Sequence, residues 1–214
     1  MFTGIVQGVF PVRRITRGTN SLSYSVELPA ALRVDLRRGA SVAVDGVCQT
    51  VAGIDGPLVH FDTNDETLRI TTIGSLADGS LAHIERSARQ GDENGGHVLS
   101  GHVDATAEIV GVEPSPGNLA LAIRVPPDLG KYVFNKGFIA LQGASLTVNG
   151  WDEEALTFRV NLIPETIRLT TFGNKRVGDL VNVEIDRQTQ VIVDTIDRAL
   201  RRALRDRDPL GRKD

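Results

Sequence analysis

The chain has 214 residues, 41% hydrophobic and 24% charged, which is enough for one large or two small domains with packed cores. Its net charge of −3, from 27 acidic and 24 basic residues, argues against a nucleic-acid partner, whose surface would cluster Lys and Arg. A single cysteine, Cys48, excludes an internal disulfide and a cysteine-only zinc site. The start does not resemble a signal peptide and no apolar run reaches the ~20 residues that cross a bilayer, so we expect a cytoplasmic protein with no membrane partner.

The first half of the chain predicts short strands separated by turns. "LPAALRVDL" from Leu28 carries an early proline and predicts a short helix. "SVAVDGV" from Ser41 is an apolar run that ends in a turn glycine, and "LVHFDT" from Leu58 alternates as a half-buried strand does. "GSLAHIE" from Gly79 follows a turn and predicts a closing strand.

The second half shows the same succession. "VPPDLGKYVFN" from Val125 predicts a short helix, and "FIALQGA" from Phe138 an apolar strand. "LTFRVNL" from Leu156 alternates by two, and "DLVNVEI" from Asp179 closes the set. Six or so short strands in about 97 residues are typical of a small closed or nearly closed barrel.

The C-terminal tail has no counterpart in the first half. Val193, Ile196, Leu200 and Ala203 recur at a spacing of three to four, with charged residues on the other faces. This predicts an amphipathic helix of about four turns that stops before Pro209. Its narrow apolar seam can pack on its own domain or pair with identical helices of other subunits.

An internal repeat organises the whole chain. "TGIVQG" from Thr3 matches "SGHVDA" from Ser100, and "SVAVDGVCQTVAGID" from Ser41 matches "FIALQGASLTVNGWD" from Phe138, both with a shift of 97 residues. "ETLRITTIG" from Glu66 matches "ETIRLTTFG" from Glu165 with a shift of 99. Two copies predict two similar domains, 1–96 and 97–187, followed by a helix and tail at 188–214.

These motifs, together with "MFTGIVQG" at the start and "GGHVLSGHVD" from Gly95, resemble those of the riboflavin synthase family over nearly the whole chain. The resemblance implies an all-β fold of two tandem six-stranded Greek-key barrels plus a C-terminal helix. It implies a homotrimer held by those helices, with each functional site between the N-terminal barrel of one subunit and the C-terminal barrel of its neighbour. Association with lumazine synthase is a further possible partnership.

The implied reaction is a dismutation in which two molecules of 6,7-dimethyl-8-ribityllumazine exchange a four-carbon unit and yield riboflavin and 5-amino-6-ribitylaminouracil. No cofactor and no metal are implied. A flat ring with a polyhydroxylated chain suits an apolar slot with a few hydroxyl, amide and main-chain groups. Two identical substrates suit two similar pockets, which a duplicated barrel supplies.

The resemblance carries site residues onto both copies. The expected catalytic residues are Cys48, His102, Ser145 and Thr147. The expected substrate-binding residues are Gly4, Ile5, Val6, Cys48, Gln49, Thr50, Asp62, Thr63, Asn64, Asp65, Glu66, Thr67, Gly101, His102, Val103, Lys136, Ser145, Leu146, Thr147, Val160, Asn161, Leu162, Ile163, Pro164 and Glu165. Some of these residues also have a purely structural interpretation. Glu66 with Arg69 and Glu165 with Arg168 can be surface ion pairs that each contribute under ~1 kcal/mol to stability.

The reaction is asymmetric, so the differences between the copies matter most. They are Cys48 against Ser145, Ile5 against His102, Asp45 against Gln142, and Gln49 against Leu146. His102 is a candidate acid–base group, since histidine changes charge near neutral pH, whereas His97 is expected to hold the linker. Cys48, expected to meet His102 across the subunit interface, either adds to the donor ring or shapes the slot for a water nucleophile.

Gln142 departs from the family pattern, in which an Asp often precedes the second glycine, and this departure puts full activity in doubt. The main alternative function is that of a lumazine-binding antenna protein that does not turn over its ligand. In such proteins the second-copy motifs are degenerate, whereas "GASLTV" and "IPETIRLTTFG" are intact here. A generic flavin- or nucleic-acid-binding barrel is a second alternative.

Overall fold

The computed structural model describes residues 1–207 and consists mainly of antiparallel strands. The strands of the first half are β1 (Gly8–Arg17), β2 (Ser21–Glu27), β3 (Ser41–Val44), β4 (Val47–Asp55), β5 (Leu58–Asn64) and β6 (Leu81–Arg86). Those of the second half are β7 (Ala105–Ser115), β8 (Asn118–Arg124), β9 (Phe138–Leu141), β10 (Ala144–Thr147), β11 (Asn149–Asp152), β12 (Thr157–Leu162) and β13 (Leu180–Ile185). The helices are α1 (Ala30–Arg33), α2 (Asp65–Ile70), α3 (Pro127–Gly130), α4 (Pro164–Leu169) and α5 (Arg187–Arg207), and short 3₁₀ helices cover Thr72–Ser75 and Phe172–Asn174.

The first half forms a closed six-stranded barrel with the strand order β1-β2-β5-β4-β3-β6. β1 pairs with both β2 and β6, which closes the ring, and β2 lies beside β5 rather than β3, the Greek-key arrangement. Alternate side chains of the strands fill the interior, where Val12, Val26 and Val59 are fully buried. The predicted barrel is confirmed, and the short helix predicted near Leu28 is α1.

The second half is a curled sheet with the order β10-β9-β13-β7-β8-β12-β11. Its two end strands, β10 and β11, are halves of one run that Val148 interrupts, and together they occupy the place of β4 in the first half. The second half therefore has seven strands where six were expected. The chain passes directly from β10 at one end of the sheet to β11 at the other end, so the sheet curls round on itself. Its core is separate from that of the first barrel and contains Ile109, Leu121 and Phe158.

A short segment from each half crosses to the opposite barrel. Val6 is buried in the core of the C-terminal barrel, and Val103 in the core of the N-terminal one. The buried carboxylate of Glu85 accepts hydrogen bonds from the Thr3 and Gly4 main-chain N–H groups, at 2.6 and 3.1 Å. Its twin Glu184 holds Ser100 and Gly101 in the same way. Packing thus crosses the predicted boundary near residue 97, and the division into domains stays a prediction.

Two glycines set the distance between the barrels. Gly46 and Gly143 both have a φ of +79° and lie against each other, so that a Cβ on Gly46 would come within 2.4 Å of the Gly143 nitrogen. Neither position therefore accepts a side chain, because both the left-handed backbone and the contact require glycine. The reciprocal contacts relate the barrels by an approximate twofold axis.

Beside these glycines, His83 and Asn182 reach across the axis. His83 Nδ1 donates to the Gln142 carbonyl at 3.0 Å, and its Nε2 accepts the Thr171 N–H at 2.8 Å. Asn182 makes the matching pair of bonds to the Asp45 carbonyl and the Thr72 N–H. A neutral His83 is required, since Nε2 must stay unprotonated to accept.

The helix α5 begins earlier and runs longer than predicted. It has 21 residues, and its start is capped by Asp186, whose carboxylate accepts from the Thr189 N–H at 3.0 Å. Pro209, before which the helix was predicted to stop, lies outside the described residues. No helix within residues 1–207 is both long and apolar enough to span a membrane.

The barrel junction predicts opposite pH responses for two variants. Burial lowers the pKa of His83 from 6.5 to about 4 and raises the pKa of Asp45 from 3.8 to about 6. As pH falls from 6.5 to 4, the unfolded chain protonates His83 before the folded one does, which destabilises the fold. Between pH 6 and 3.8 the folded chain protonates Asp45 first, which stabilises it.

Between pH 6.5 and 4 we therefore expect His83 to cost Asp45→Asn about 3 kcal/mol of unfolding free energy, because the His83 effect is no longer offset by that of Asp45. His83→Asn, which places the residue of its twin, is expected to become more stable over the pH range 6 to 4. Urea denaturation at several pH values measures both. Equal slopes in the two variants would contradict the assignment.

Candidate active site

The N-terminal patch is built around β4 and the crossing segment 100–103. Cys48 is half-buried, Gln49 is buried and Thr50 is exposed, as the alternation of a strand dictates. The Cys48 N–H donates to the Gly101 carbonyl at 2.8 Å. A Cβ on Gly101 would lie 2.7 Å from Cys48 Cβ, so glycine allows the segment to lie directly over the cysteine.

His102 follows this glycine and is exposed. Its main-chain N–H donates to Ser100 Oγ at 3.2 Å, and its carbonyl accepts from Arg187, the first residue of α5, which also pairs with Asp104 at 2.8 Å. Cys48 and His102 are thus brought together within one chain. The crossing segment carries the main chain of His102 to the N-terminal barrel, and the expectation that the two side chains meet across a subunit interface stays a prediction.

The C-terminal patch has the same construction. The Ser145 N–H donates to the Gly4 carbonyl at 2.8 Å, and a Cβ on Gly4 would lie 2.5 Å from Ser145 Cβ. Ile5 is 47% exposed at the position that His102 holds in the other patch. Gly4 and Gly101 use their N–H and carbonyl groups to join the barrels, so these groups are already paired within the protein.

His97 lies beside the C-terminal patch, a contact that the sequence did not lead us to expect. Its Nδ1 lies 2.6 Å from Ser145 Oγ, and its ring stacks on Phe138 with centroids 5.0 Å apart. Burial lowers the pKa of His97, and within residues 1–207 its Nε2 has no hydrogen-bond partner. Forty-eight residues separate His97 from Ser145, so no local sequence signal links them. His97 thus pairs with the half-buried Ser145, and its expected role in holding the linker stays a prediction.

The segments Asp62–Thr67 and Val160–Glu165 end in short helices that the sequence analysis did not predict. Asn64 caps α2 by accepting the Thr67 N–H at 3.0 Å, and Pro164 opens α4, both recognisable start signals. Polar and exposed side chains dominate the outer surface of the two segments: Asp62, Asn64, Asp65, Glu66, Asn161 and Glu165.

The two glutamates of these segments differ in their pairing. The Arg168 guanidinium donates two hydrogen bonds to the Glu165 carboxylate, from Nε at 2.8 Å and from Nη2 at 2.5 Å. These bonds lower the pKa of Glu165. Arg69 pairs instead with Asp65 at 3.4 Å. Among the described ion pairs Glu66 takes part in none, so its carboxylate is available to accept from a ligand hydroxyl.

Several expected contact residues point into the barrels. The interior holds the side chains of Val6, Gln49, Thr63, Val103, Leu146, Val160 and Leu162, each less than 10% exposed. Exposed positions include Thr50, Thr147, Ile163, Pro164 and Lys136, whose Nζ donates to Asn149 at 3.0 Å. Lys136 has a φ of +66° where its twin is Gly39, and such strain in a non-glycine residue is frequent at functional sites.

Both patches are shallow in the single chain. Of five clefts described within residues 1–207, the one with the greatest volume, about 720 Å³, lies between the N-terminal segment and α1, and Ile5 lines it. Cys48 and Ser145 line none of these five clefts. The described residues also bring together no group of three His, Cys, Asp or Glu side chains that could hold a metal ion.

Two barrels with like, outward-facing patches define a duplicated β-barrel protein, and comparison with known proteins specifies its class. Residues 3–87 and 100–186 each match the lumazine binding domain. Riboflavin synthase of Escherichia coli (strain K12) is 46% identical over 201 residues, which cover 94% of this chain and 93% of that protein. Riboflavin synthase of Chlamydia pneumoniae is 41% identical over 200 residues, which cover 94% of this chain and 97% of that protein.

Solved structures show the same fold at lower identity. The crystal structure of LumP complexed with riboflavin has a TM-score of 0.81 and 24% identity, covering 87% of this chain and 100% of LumP. The crystal structure of LumP complexed with 6,7-dimethyl-8-(1'-D-ribityl) lumazine has a TM-score of 0.79 and also covers 87% of this chain and 100% of LumP. With the sequence relatives, the conclusion is plain: the chain belongs to the riboflavin synthase family.

The crossing segments predict that a substitution in one barrel affects the other barrel's patch. Glu184→Gln places an amide N–H₂ against the N–H groups of Ser100 and Gly101, which costs about 1–3 kcal/mol and loosens the segment over Cys48. We expect Cys48 to react with a thiol reagent roughly 5–150-fold faster. Glu85→Gln is the matched control and should leave the rate unchanged. Equal rates in the two variants would contradict the conclusion that Glu184 holds the segment that lies over Cys48.

Proposed function

We propose that this chain catalyses the dismutation of two molecules of 6,7-dimethyl-8-ribityllumazine to riboflavin and 5-amino-6-ribitylaminouracil. The observation that carries the proposal is the pair of patches with the same main-chain construction and different reactive side chains. Cys48 with His102 stands on one patch, and Ser145 with His97 on the other. Two like patches suit two identical substrates, and different side chains suit the two roles that the substrates take.

The chemistry needs no outside oxidant or reductant. One lumazine loses a proton from its 7-methyl group, because the ring delocalises the carbanion, and so becomes the acceptor. The donor takes up a nucleophile at its ring and opens. It then transfers four carbons to the acceptor, which gains the new ring, while the nucleophile is released again and the donor remains as 5-amino-6-ribitylaminouracil. Much of the acceleration comes from holding two flat rings face to face.

The side chains of the two patches supply the proton transfers, which typically contribute ~10²–10⁴-fold. His102 is exposed beside Cys48, where it can take a proton from a substrate or a water. His97 is held neutral by burial and can polarise the Ser145 hydroxyl through its 2.6 Å contact. Thr147 lies two residues further along the same strand face as Ser145 and is exposed. Cys48 aids the reaction as nucleophile or as pocket wall.

We further propose that the chain forms a homotrimer through α5. Asp194 and Asp197 on one face of the helix pair with Lys131 at 2.8 and 3.3 Å, which tethers the helix to the C-terminal barrel. Of the predicted seam, Ile196 and Leu200 are more than half exposed, as is Ile192 one turn earlier, whereas Val193 is half-buried. This seam does not pack on its own barrels, which favours the other alternative, packing against identical helices.

Turnover tests the proposed function directly. The purified chain is mixed with 6,7-dimethyl-8-ribityllumazine without added cofactor, and the products are separated by chromatography. We expect one riboflavin per two lumazines consumed. Tight fluorescent binding without riboflavin would instead indicate an antenna protein, with Gln142 as the first residue to restore to Asp.

Variants at position 48 separate the two roles of the cysteine. Cys48→Ala is expected to lower kcat roughly 10-fold without abolishing it, because positioning of the two rings remains. Cys48→Ser places the hydroxyl of its twin Ser145 and is the matched control. If the sulfur is the nucleophile, both variants lose activity equally. If the residue only shapes the slot, Cys48→Ser keeps more activity than Cys48→Ala. Full turnover by Cys48→Ala would remove the cysteine from the mechanism.

The trimer predicts a change of mass in one helix variant. Ile196→Glu places a charge in the exposed seam of α5, where burial against another helix would leave it unpaired. We expect light scattering to give three chain masses for the natural protein and a single chain mass for the variant. Thr195→Glu adds the same charge at an exposed neighbouring position and should remain trimeric. A natural protein of one chain mass would contradict the proposal.

A further inference from the structure

The interiors of the two barrels differ in polarity behind the two patches. The N-terminal barrel buries Tyr24, Gln49 and Thr63, all at most 4% exposed. The twin positions of the C-terminal barrel are three leucines: Leu121, Leu146 and Leu162, also buried. Duplicated packing alone predicts apolar residues at both sets of positions, so the polar set needs its own explanation.

A buried hydrogen bond joins two of these polar residues. Thr63 Oγ1 donates to Gln49 Oε1 at 2.6 Å. Gln49 lies between Cys48 and Thr50, and Thr63 lies between Asp62 and Asn64. The bond therefore connects, from inside the barrel, the two segments that form the outer face of the N-terminal patch.

The backbone does not provide this connection at the same place. The main-chain pairing of β4 with β5 runs from Asp55–Leu58 to Val51–Phe61 and is irregular between Val51 and Gly53. Gln49 and Thr63 lie beyond Val51–Phe61, towards the end of the barrel that carries the patch. In the C-terminal barrel, Leu146 and Leu162 occupy these places and belong to the same apolar core.

We propose that Gln49 and Thr63 are a positioning pair that fixes the width of the N-terminal substrate site, so that this site binds the flat ring and its polyol chain more tightly than the C-terminal one. The inference rests on the proposed function for the identity of the ligand. A hydrogen bond has a narrow range of lengths and angles, whereas two leucines slide past each other at little cost. One site is therefore pre-formed and its twin adapts, and pre-forming a site raises its affinity.

Thr63→Val tests the pair, because it keeps the shape of the side chain and removes the hydroxyl. The full chain is titrated with riboflavin and binding is followed by fluorescence quenching. We expect two classes of site in the natural protein, and about fivefold weaker binding at the tighter class alone in the variant. KM for the lumazine should rise by a similar factor while kcat changes less than twofold. Thr63→Ser, which restores the hydroxyl, should recover most of the affinity.

A control separates positioning from loss of stability. Ser25→Ala removes a buried hydroxyl of the same barrel that lies 2.7 Å from His60 Nδ1, away from the patch. Both variants should lower the unfolding free energy by similar amounts, and Thr63→Val alone should weaken riboflavin binding. Equal binding by the two variants, or equal weakening of both classes of site by Thr63→Val, would overturn the proposal.

A second variant covers the case in which Thr63→Val does not fold. Gln49→Leu with Thr63→Leu gives the N-terminal barrel two of the three interior leucines of its twin and removes both partners of the hydrogen bond together. We expect its two classes of site to converge in affinity, and two sites that stay as unequal as in the natural protein would overturn the proposal. If the natural protein binds riboflavin at two unequal sites but produces no riboflavin from the lumazine, the result contradicts the proposed reaction and not the positioning pair.

Discussion

The exchange of short segments between the barrels is the contact on which the rest of the structure depends. Two buried carboxylates, Glu85 and Glu184, each accept main-chain N–H groups from a segment that packs into the opposite barrel. Without the exchange, Val6 and Val103 would leave the two cores. Each patch therefore needs both halves of the chain, and neither half is complete by itself.

The same arrangement explains how a duplicated scaffold can serve an asymmetric reaction. Gly46 and Gly143 bring the two backbones into contact around an approximate twofold axis, which gives both patches the same main-chain frame. The differences are confined to side chains, such as Cys48 against Ser145. His83 and Asn182 show the principle at the junction, since different side chains make equivalent bonds.

Part of the site could be read from the sequence, because the family resemblance and the internal repeat mark corresponding positions in both copies. Cys48, Ser145 and Thr50 were found in this way, and all lie on the patches. His97 was underrated, because only folding brings it to Ser145. The sequence predicts that Gln49 and Thr63 contact the ligand, but the alternation of their strands turns their side chains inward. The helix α2 was not predicted, although Asn64 at its start is a typical N-cap residue.

The sequence by itself determined the duplication, the mostly β class, the short strands and the C-terminal amphipathic helix, because these follow from local periodicity and from residues that recur at fixed shifts. Only the tertiary structure decided which barrel each crossing segment completes and which side chains face inward. Linear order places Gly4 with the first copy, yet its carbonyl pairs with Ser145 of the second. Such pairing depends on long-range hydrogen bonds and burial, which no local pattern encodes.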